Sequence, residues 1–271
     1  MKGGDLKQTL REGGSVFGMM LTMARNPRWG NILAGGGIDY VVIDTEHSQR
    51  SRAEISDSIV WLKAAGLTVI VRIPFPVPHY VTMALDAGAD GVLVPYCESV
   101  EEVRDCVGAK EWHPLKGQYL KRAIERGEHA SDKTRDYLAA RHADNIIIIG
   151  IESEPAYLNL DAILGVGGID AIFVGPNDMS TSLGIPDEYD NPRYWDVLAE
   201  IARKSEAAGA AVMIHQQNVA DSTIAIELGA RFVLHSSEGR TLQRQMQSDF
   251  NALREAAGSL ERAVEDTVET V

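Results

Sequence analysis

Six apolar, mostly Val- and Ile-rich runs in this chain end in residues suited to acid–base or metal chemistry. Asp44-Thr45-Glu46-His47 ends the run from Tyr40, Arg72 the one from Thr68, Glu152 the one from Ile146, and Gly175-Pro176-Asn177-Asp178 the one from Ala171. His215 ends the run from Ala211, and Ser236-Ser237-Glu238 the run from Phe232. Glu152 and Asp178 stand 26 positions apart, one strand–helix step, which sets two carboxylates on neighbouring strand ends. Hard oxygen donors that leave positions open suit Mg²⁺, Mn²⁺ or a similar ion that also takes substrate. The same positions suit helix caps, since Glu152 precedes Ser153-Glu154-Pro155 and Asp178 precedes Met179.

His47 follows Asp44 by three residues, a spacing at which a carboxylate can orient an imidazole and raise its basicity, as a general base requires. A loop histidine bonded only for structure is the bland alternative. Glu46 is placed to act on a metal's waters. Arg72 ends a buried run, and a guanidinium emerging there needs an anion, either a substrate carboxylate or developing enolate or an ion pair with Asp44 or Glu46. Backbone N–H groups at Asn177 and Asp178 open a turn that can cradle a carboxylate.

Eight runs can position these groups: Val16 to Leu21, Tyr40 to Asp44, Thr68 to Ile73, Gly91 to Pro95, Ile146 to Glu152, Ala171 to Gly175, Ala211 to His215 and Phe232 to Ser236. Amphipathic stretches separate most of them, with capping boxes at Ser51–Glu54 and Ser99–Glu102 and an Asn191-Pro192 start. Strands of this kind bury both faces of a parallel sheet. Eight units in about 250 residues is the size of a (β/α)₈ barrel, and the absence of a linker predicts a single α/β domain over residues 1–271. An open doubly wound sheet would need a Gly-rich loop after the first strand, and Met19 to Arg25 has no glycine. In a barrel, catalytic groups gather where the strands end. A long connection, about 109–145, interrupts the pattern, and such excursions often carry function. Lys116 or Lys121 in it would have to reach inward for Schiff-base chemistry, because no Lys follows a strand. His79, His113, His129 and His142 read as surface or loop residues, and the acidic end, Glu261 to Val271, as a frayed tail.

With 45% hydrophobic and 24% charged residues the chain is globular, not disordered. Its longest stretch without Asp, Glu, Lys or Arg is Ala207 to Ala220, too short and too polar to span a membrane. A net charge of −13 disfavours nucleic acid and anionic lipid as partners. Cys97 and Cys106 alone form neither a disulfide framework nor a zinc cluster, so a reducing cytoplasm is the expected home.

In order and spacing, several segments resemble the HpcH/HpaI aldolase family, the metal-dependent class II pyruvate aldolases of the phosphoenolpyruvate/pyruvate barrel superfamily. They are Val42-Ile43-Asp44-Thr45-Glu46-His47, Val71-Arg72-Ile73-Pro74, Leu85-Asp86-Ala87-Gly88-Ala89-Asp90-Gly91 leading to Val94-Pro95, Ile151-Glu152-Ser153, and Gly168 through Ser180 with Leu183-Gly184 beyond. The likeness runs from about Phe17 to Phe250. It implies that Glu152 and Asp178 hold a divalent ion (Mg²⁺, Mn²⁺ or Co²⁺), that Arg72 stabilises an enolate, and that Gly175-Pro176-Asn177-Asp178 seats the carboxylate of pyruvate. It also implies acid–base work for His47 paired with Asp44, and a contribution from Asp86 across a subunit boundary. The last helix would be exchanged between subunits of a hexamer built as a trimer of dimers. The reaction expected is cleavage of a 4-hydroxy-2-oxo acid to pyruvate and an aldehyde, or its reverse. Two positions depart from the pattern: Gly150 stands where the family commonly has Gln, and Tyr119 where it has Arg. Both alter the acceptor side and favour, as an alternative, a condensing or acyl-transferring relative that uses oxaloacetate or a thioester. A barrel that only binds a 2-oxo acid is a further alternative, which the acid–base residues disfavour.

Overall fold

A computed structural model describes residues 2–259. Eight parallel strands pair in chain order into a closed barrel: β1 (Val16–Leu21), β2 (Tyr40–Asp44), β3 (Thr68–Arg72), β4 (Gly91–Val94), β5 (Ile146–Gly150), β6 (Ala171–Val174), β7 (Ala211–Gln216) and β8 (Phe232–Ser237). The expected (β/α)₈ barrel is therefore the fold. Strand side chains alternate between two faces. One set, including Val42, Ile70, Ile148, Phe173, Met213 and Leu234, fills the barrel interior. The other, including Val41, Val69, Val92, Ile147, Ile172 and Val212, packs beneath the surrounding helices. Burying each such side chain contributes roughly 1.5–3 kcal/mol. Gly18 on β1 belongs to the inward set, and its lack of a side chain admits the Tyr40 ring, which a Cβ would strike. The Tyr40 hydroxyl is satisfied by donating to the Val233 carbonyl at 2.7 Å.

Helix ends follow the sequence signals. Ser51 and Ser99 accept from Glu54 and Glu102 N–H and start helices Arg52–Ala64 and Val100–Glu111, and Asn191 caps Pro192–Ala207. The N-terminal helix Gly3–Arg11 closes the barrel mouth at the strand starts. Leu6 joins the interior cluster, while the Lys7 ammonium binds the Ala143 and Asn145 carbonyls at 2.9 Å each and Asp170 at 3.0 Å.

The long connection is two helices, Gly117–Arg126 and Asp132–His142, rather than a loop over the strand ends. The first packs outside helix Val100–Glu111, where Gly108 leaves room for Ile124. Lys121 is exposed and pairs with Glu125, so inward reach by this segment is not seen. His142 is buried, not superficial, with Nε2 2.6 Å from the His113 carbonyl. The Cys97 and Cys106 thiols are free and buried, and burial raises both, Cys106 to about 12, as packing residues would be. Glu261 to Val271 lie outside the described residues. Among the described residues, no helix is long and apolar enough to cross a membrane.

Candidate active site

Continuing the inward alternation one step beyond the apolar layer brings Asp44, Arg72, Gly150, Gly175, His215 and Ser236 onto one level at the C-terminal ends of the strands. Register sets Asp44 beside Arg72 on adjacent strands, and Arg72 Nε donates to Asp44 Oδ1 at 2.9 Å with both side chains buried. Arg72 Nη1 lies 3.2 Å from Glu46 Oε2, which is 3.5 Å from His47 Nε2. Glu46 thus bridges guanidinium and imidazole. Asp44 does not hold the His47 ring as expected. Its Oδ1 instead accepts from Arg72 and from the backbone N–H groups of Glu46 and His47, at 3.0 and 3.4 Å for the latter two. The reason is register, which gives the buried carboxylate a guanidinium before the loop turns away. Arg72 thus makes both structural pairs, yet its Nη2, like Asp44 Oδ2 and Ser236 Oγ, is buried with no partner among the described residues. Such groups are costly unless something else meets them.

Glu152 is 2% exposed, beyond the end of β5. Its Oε2 accepts from the Tyr96 N–H at 2.8 Å, and Tyr96 takes a left-handed φ of 48° to present it. Two inward glycines make room for this carboxylate. A Cβ on Gly150 would sit 2.5 Å from Glu152 Oε2, and one on Gly175 would strike Oε1 while standing 3.5 Å from Asp178 Oδ2. Glu152 and Asp178 therefore converge on the same bare stretch of backbone. Neither is a cap. Ser153 caps helix Glu154–Leu158, and Gly175 occupies the cap of helix Pro176–Ser182, whose first turn contains Asp178. Among the described residues, no group of three or more His, Cys, Asp or Glu forms a complete metal cage. Two hard oxygen donors meeting over a glycine-cleared space nevertheless fit a divalent cation with open positions.

Burial raises the Glu152 carboxyl to about 8 against the pull of Arg72, and raises Glu46 to about 7, again opposed by Arg72. Burial, with help from Arg72, lowers His47, so its imidazole is neutral and able to take a proton at neutral pH. His215, 3% exposed, is pushed down to about 4 by burial. The Asn177 and Asp178 N–H groups open helix Pro176–Ser182, where no intrahelical acceptor exists for them.

The model of the HpcH/HpaI aldolase/citrate lyase family matches residues 18–244. The chain belongs to this family. A hydroxypyruvate/pyruvate aldolase of Roseobacter denitrificans is 29% identical to it over 227 residues, which are 84% of this chain and 88% of the relative. A 4-hydroxy-2-oxo-heptane-1,7-dioate aldolase of Salmonella arizonae is 28% identical over 256 residues, 93% and 97% of the two chains. The crystal structure of an HpcH/HpaI aldolase/citrate lyase family protein from Burkholderia cenocepacia superposes with a TM-score of 0.80 at 28% identity, covering 93% of this chain and 99% of that one.

At Gly150, where the resemblance led to an expectation of Gln, the space a side chain would need is taken by the Glu152 carboxylate and the Pro95–Tyr96 backbone. Asp86 stands apart from the cluster within its own chain, at the end of helix Pro78–Asp86, with Oδ1 3.2 Å from His113 Nε2. Tyr119 is exposed on the outer helix Gly117–Arg126. Sequence reasoning overlooked the Tyr96 N–H and the clearance at Gly175. The inward parity of β5 and β6 was the available signal for the glycine.

Proposed function

We propose that this HpcH/HpaI-family chain is a divalent-metal-dependent aldolase that interconverts a 4-hydroxy-2-oxo acid with pyruvate and an aldehyde. The observation that carries this reading is the convergence of Glu152 and Asp178 over Gly175, with the unsatisfied Arg72 nitrogen buried in the same layer. The two carboxylates would hold Mg²⁺, Mn²⁺ or Co²⁺, which when bound supplies Lewis-acid polarisation of a ketone. Gly175-Pro176-Asn177-Asp178 seats the substrate carboxylate on backbone N–H groups. Arg72, held by Asp44 and Glu46, presents its remaining N–H groups to the oxygen that becomes anionic as the carbon–carbon bond breaks. His47, neutral and next to Glu46, takes the proton from the 4-hydroxyl in cleavage and returns it in synthesis. The relatives' names support a 2-oxo acid as substrate.

Steady-state cleavage of 4-hydroxy-2-oxoheptanedioate, followed by coupled pyruvate detection, tests the reaction. Turnover that needs added Mn²⁺ supports it, and absence of pyruvate release with any 4-hydroxy-2-oxo acid sinks it. Gly150 favours a second reading, in which the same site condenses oxaloacetate with a thioester. Citrate formation from oxaloacetate and acetyl-CoA, without aldehyde use, would select it.

A further inference from the structure

Beside His47, the loops after β1 and β2 enclose a groove of about 690 Å³ lined by Arg25, Glu46, His47, Gln49, Arg50 and Glu54. Two arginines tie its walls together. Arg25 reaches the Gln49 carbonyl at 2.6 Å and pairs with Glu54, and Arg50 Nη2 donates to the Ala24 carbonyl at 3.1 Å. Arg50 Nε and Nη1, however, are buried with no hydrogen-bond partner among the described residues. Nearby acids are already engaged. Glu54 serves Arg25 and the Ser51 N–H, while Glu238 accepts from the Thr22, Met23 and Ala24 N–H groups at 2.5–3.0 Å. Asp44 is bound to Arg72. A guanidinium left with unmatched donors beside a second one is a site short of one anion.

We propose that Arg50 sets acceptor specificity: its guanidinium binds the carboxylate of an aldehyde acid seated in the groove beside His47. This rests on the aldolase reading, because the groove matters as an acceptor site only if His47 works on the carbonyl at its inner end. A purely structural Arg50, bracing Ala24, would affect every acceptor alike. A carboxylate-binding Arg50 distinguishes charged acceptors from neutral ones.

The test compares succinic semialdehyde with butanal, four-carbon aldehydes that differ by the carboxylate, as acceptors for pyruvate in the Mn²⁺-supplemented enzyme. The wild-type protein should prefer the acid in kcat/KM by about tenfold or more, the scale of a charge-assisted hydrogen bond. Arg50→Met should cut that preference by about tenfold, and Arg50→Lys should restore part of it. Butyrate should inhibit the wild-type protein in competition with the aldehyde. No wild-type preference for the acid, no competition by butyrate, or equal loss with both aldehydes in Arg50→Met would each overturn the assignment. If Arg50→Met does not fold, the wild-type ratio and the butyrate competition decide alone. Wild-type exchange of the pyruvate C3 hydrogens, measured alongside, separates two failures. Exchange without an acceptor preference overturns the role of Arg50 only, whereas no exchange overturns the aldolase reading and this inference with it.

Discussion

Burial keeps the Glu152 and Glu46 carboxyls protonated to higher pH than in water, which links the stability of the fold to pH. An unfolded glutamate loses its proton near pH 4.3. Folded Glu152 keeps its proton to about 8 and Glu46 to about 7. Between those limits the folded chain binds more protons, so their contribution to stability is complete below about pH 4.3 and is lost as pH rises toward 8. Glu152→Gln carries no such proton. Urea midpoints of the metal-free protein should therefore fall less between pH 5 and pH 8 in the variant, where each titrating proton contributes at most about 1.4 kcal/mol per pH unit. His47→Ala should slow turnover by about 10²–10⁴-fold with an unchanged urea midpoint, as expected for a partly exposed base. Asp44, Glu46, His47, Arg72, Glu152 and Asp178 were legible because each closes a run or follows one. The pairing of Asp44 with Arg72 instead of the His47 ring was not, because a spacing of three residues says nothing about strand register. Arg50 was overlooked because it sits in a loop and its significance lies in missing partners, which a sequence does not display.

At the scale of elements, the barrel was readable because its strands are unbroken apolar runs and its helices carry their own stop and start residues. What spacing could not convey was which side of an element a segment would pack against. The connection at 109–145 has the length of a functional loop, but Gly108 offers an outer face to Ile124 and the segment becomes a helical layer on the wall. Glycine is similarly quiet in a sequence, although Gly150 and Gly175 determine where the Glu152 carboxylate lies. Gly175→Ala would drive its Cβ into Glu152 Oε1. The account predicts that the wild-type protein melts higher with Mn²⁺ added and that this variant folds, since position 175 takes ordinary extended backbone, but loses that rise.

For the whole molecule, helix Glu238–Ala256 leaves Leu242, Met246, Phe250 and Leu253 about half exposed, spaced three or four residues apart on one face. A contiguous apolar stripe on a chain carrying a net charge of −13 is the kind of surface that contact with another chain would remove from water. The hexamer expected from the family resemblance would cover it with other subunits. Sedimentation should show a single homo-oligomer in the wild-type protein, and Leu242→Glu with Phe250→Glu should shift it to smaller species. A wild-type monomer at micromolar concentration would refute the expectation. The central claim, that Glu152 and Asp178 jointly hold a cation that activates a 2-oxo acid, is tested most directly by deuterium exchange into C3 of pyruvate, followed by NMR. The account predicts exchange with Mn²⁺ added, none after chelation, and none in Glu152→Gln. Exchange that persists in chelator, or at wild-type rate in Glu152→Gln, would contradict it.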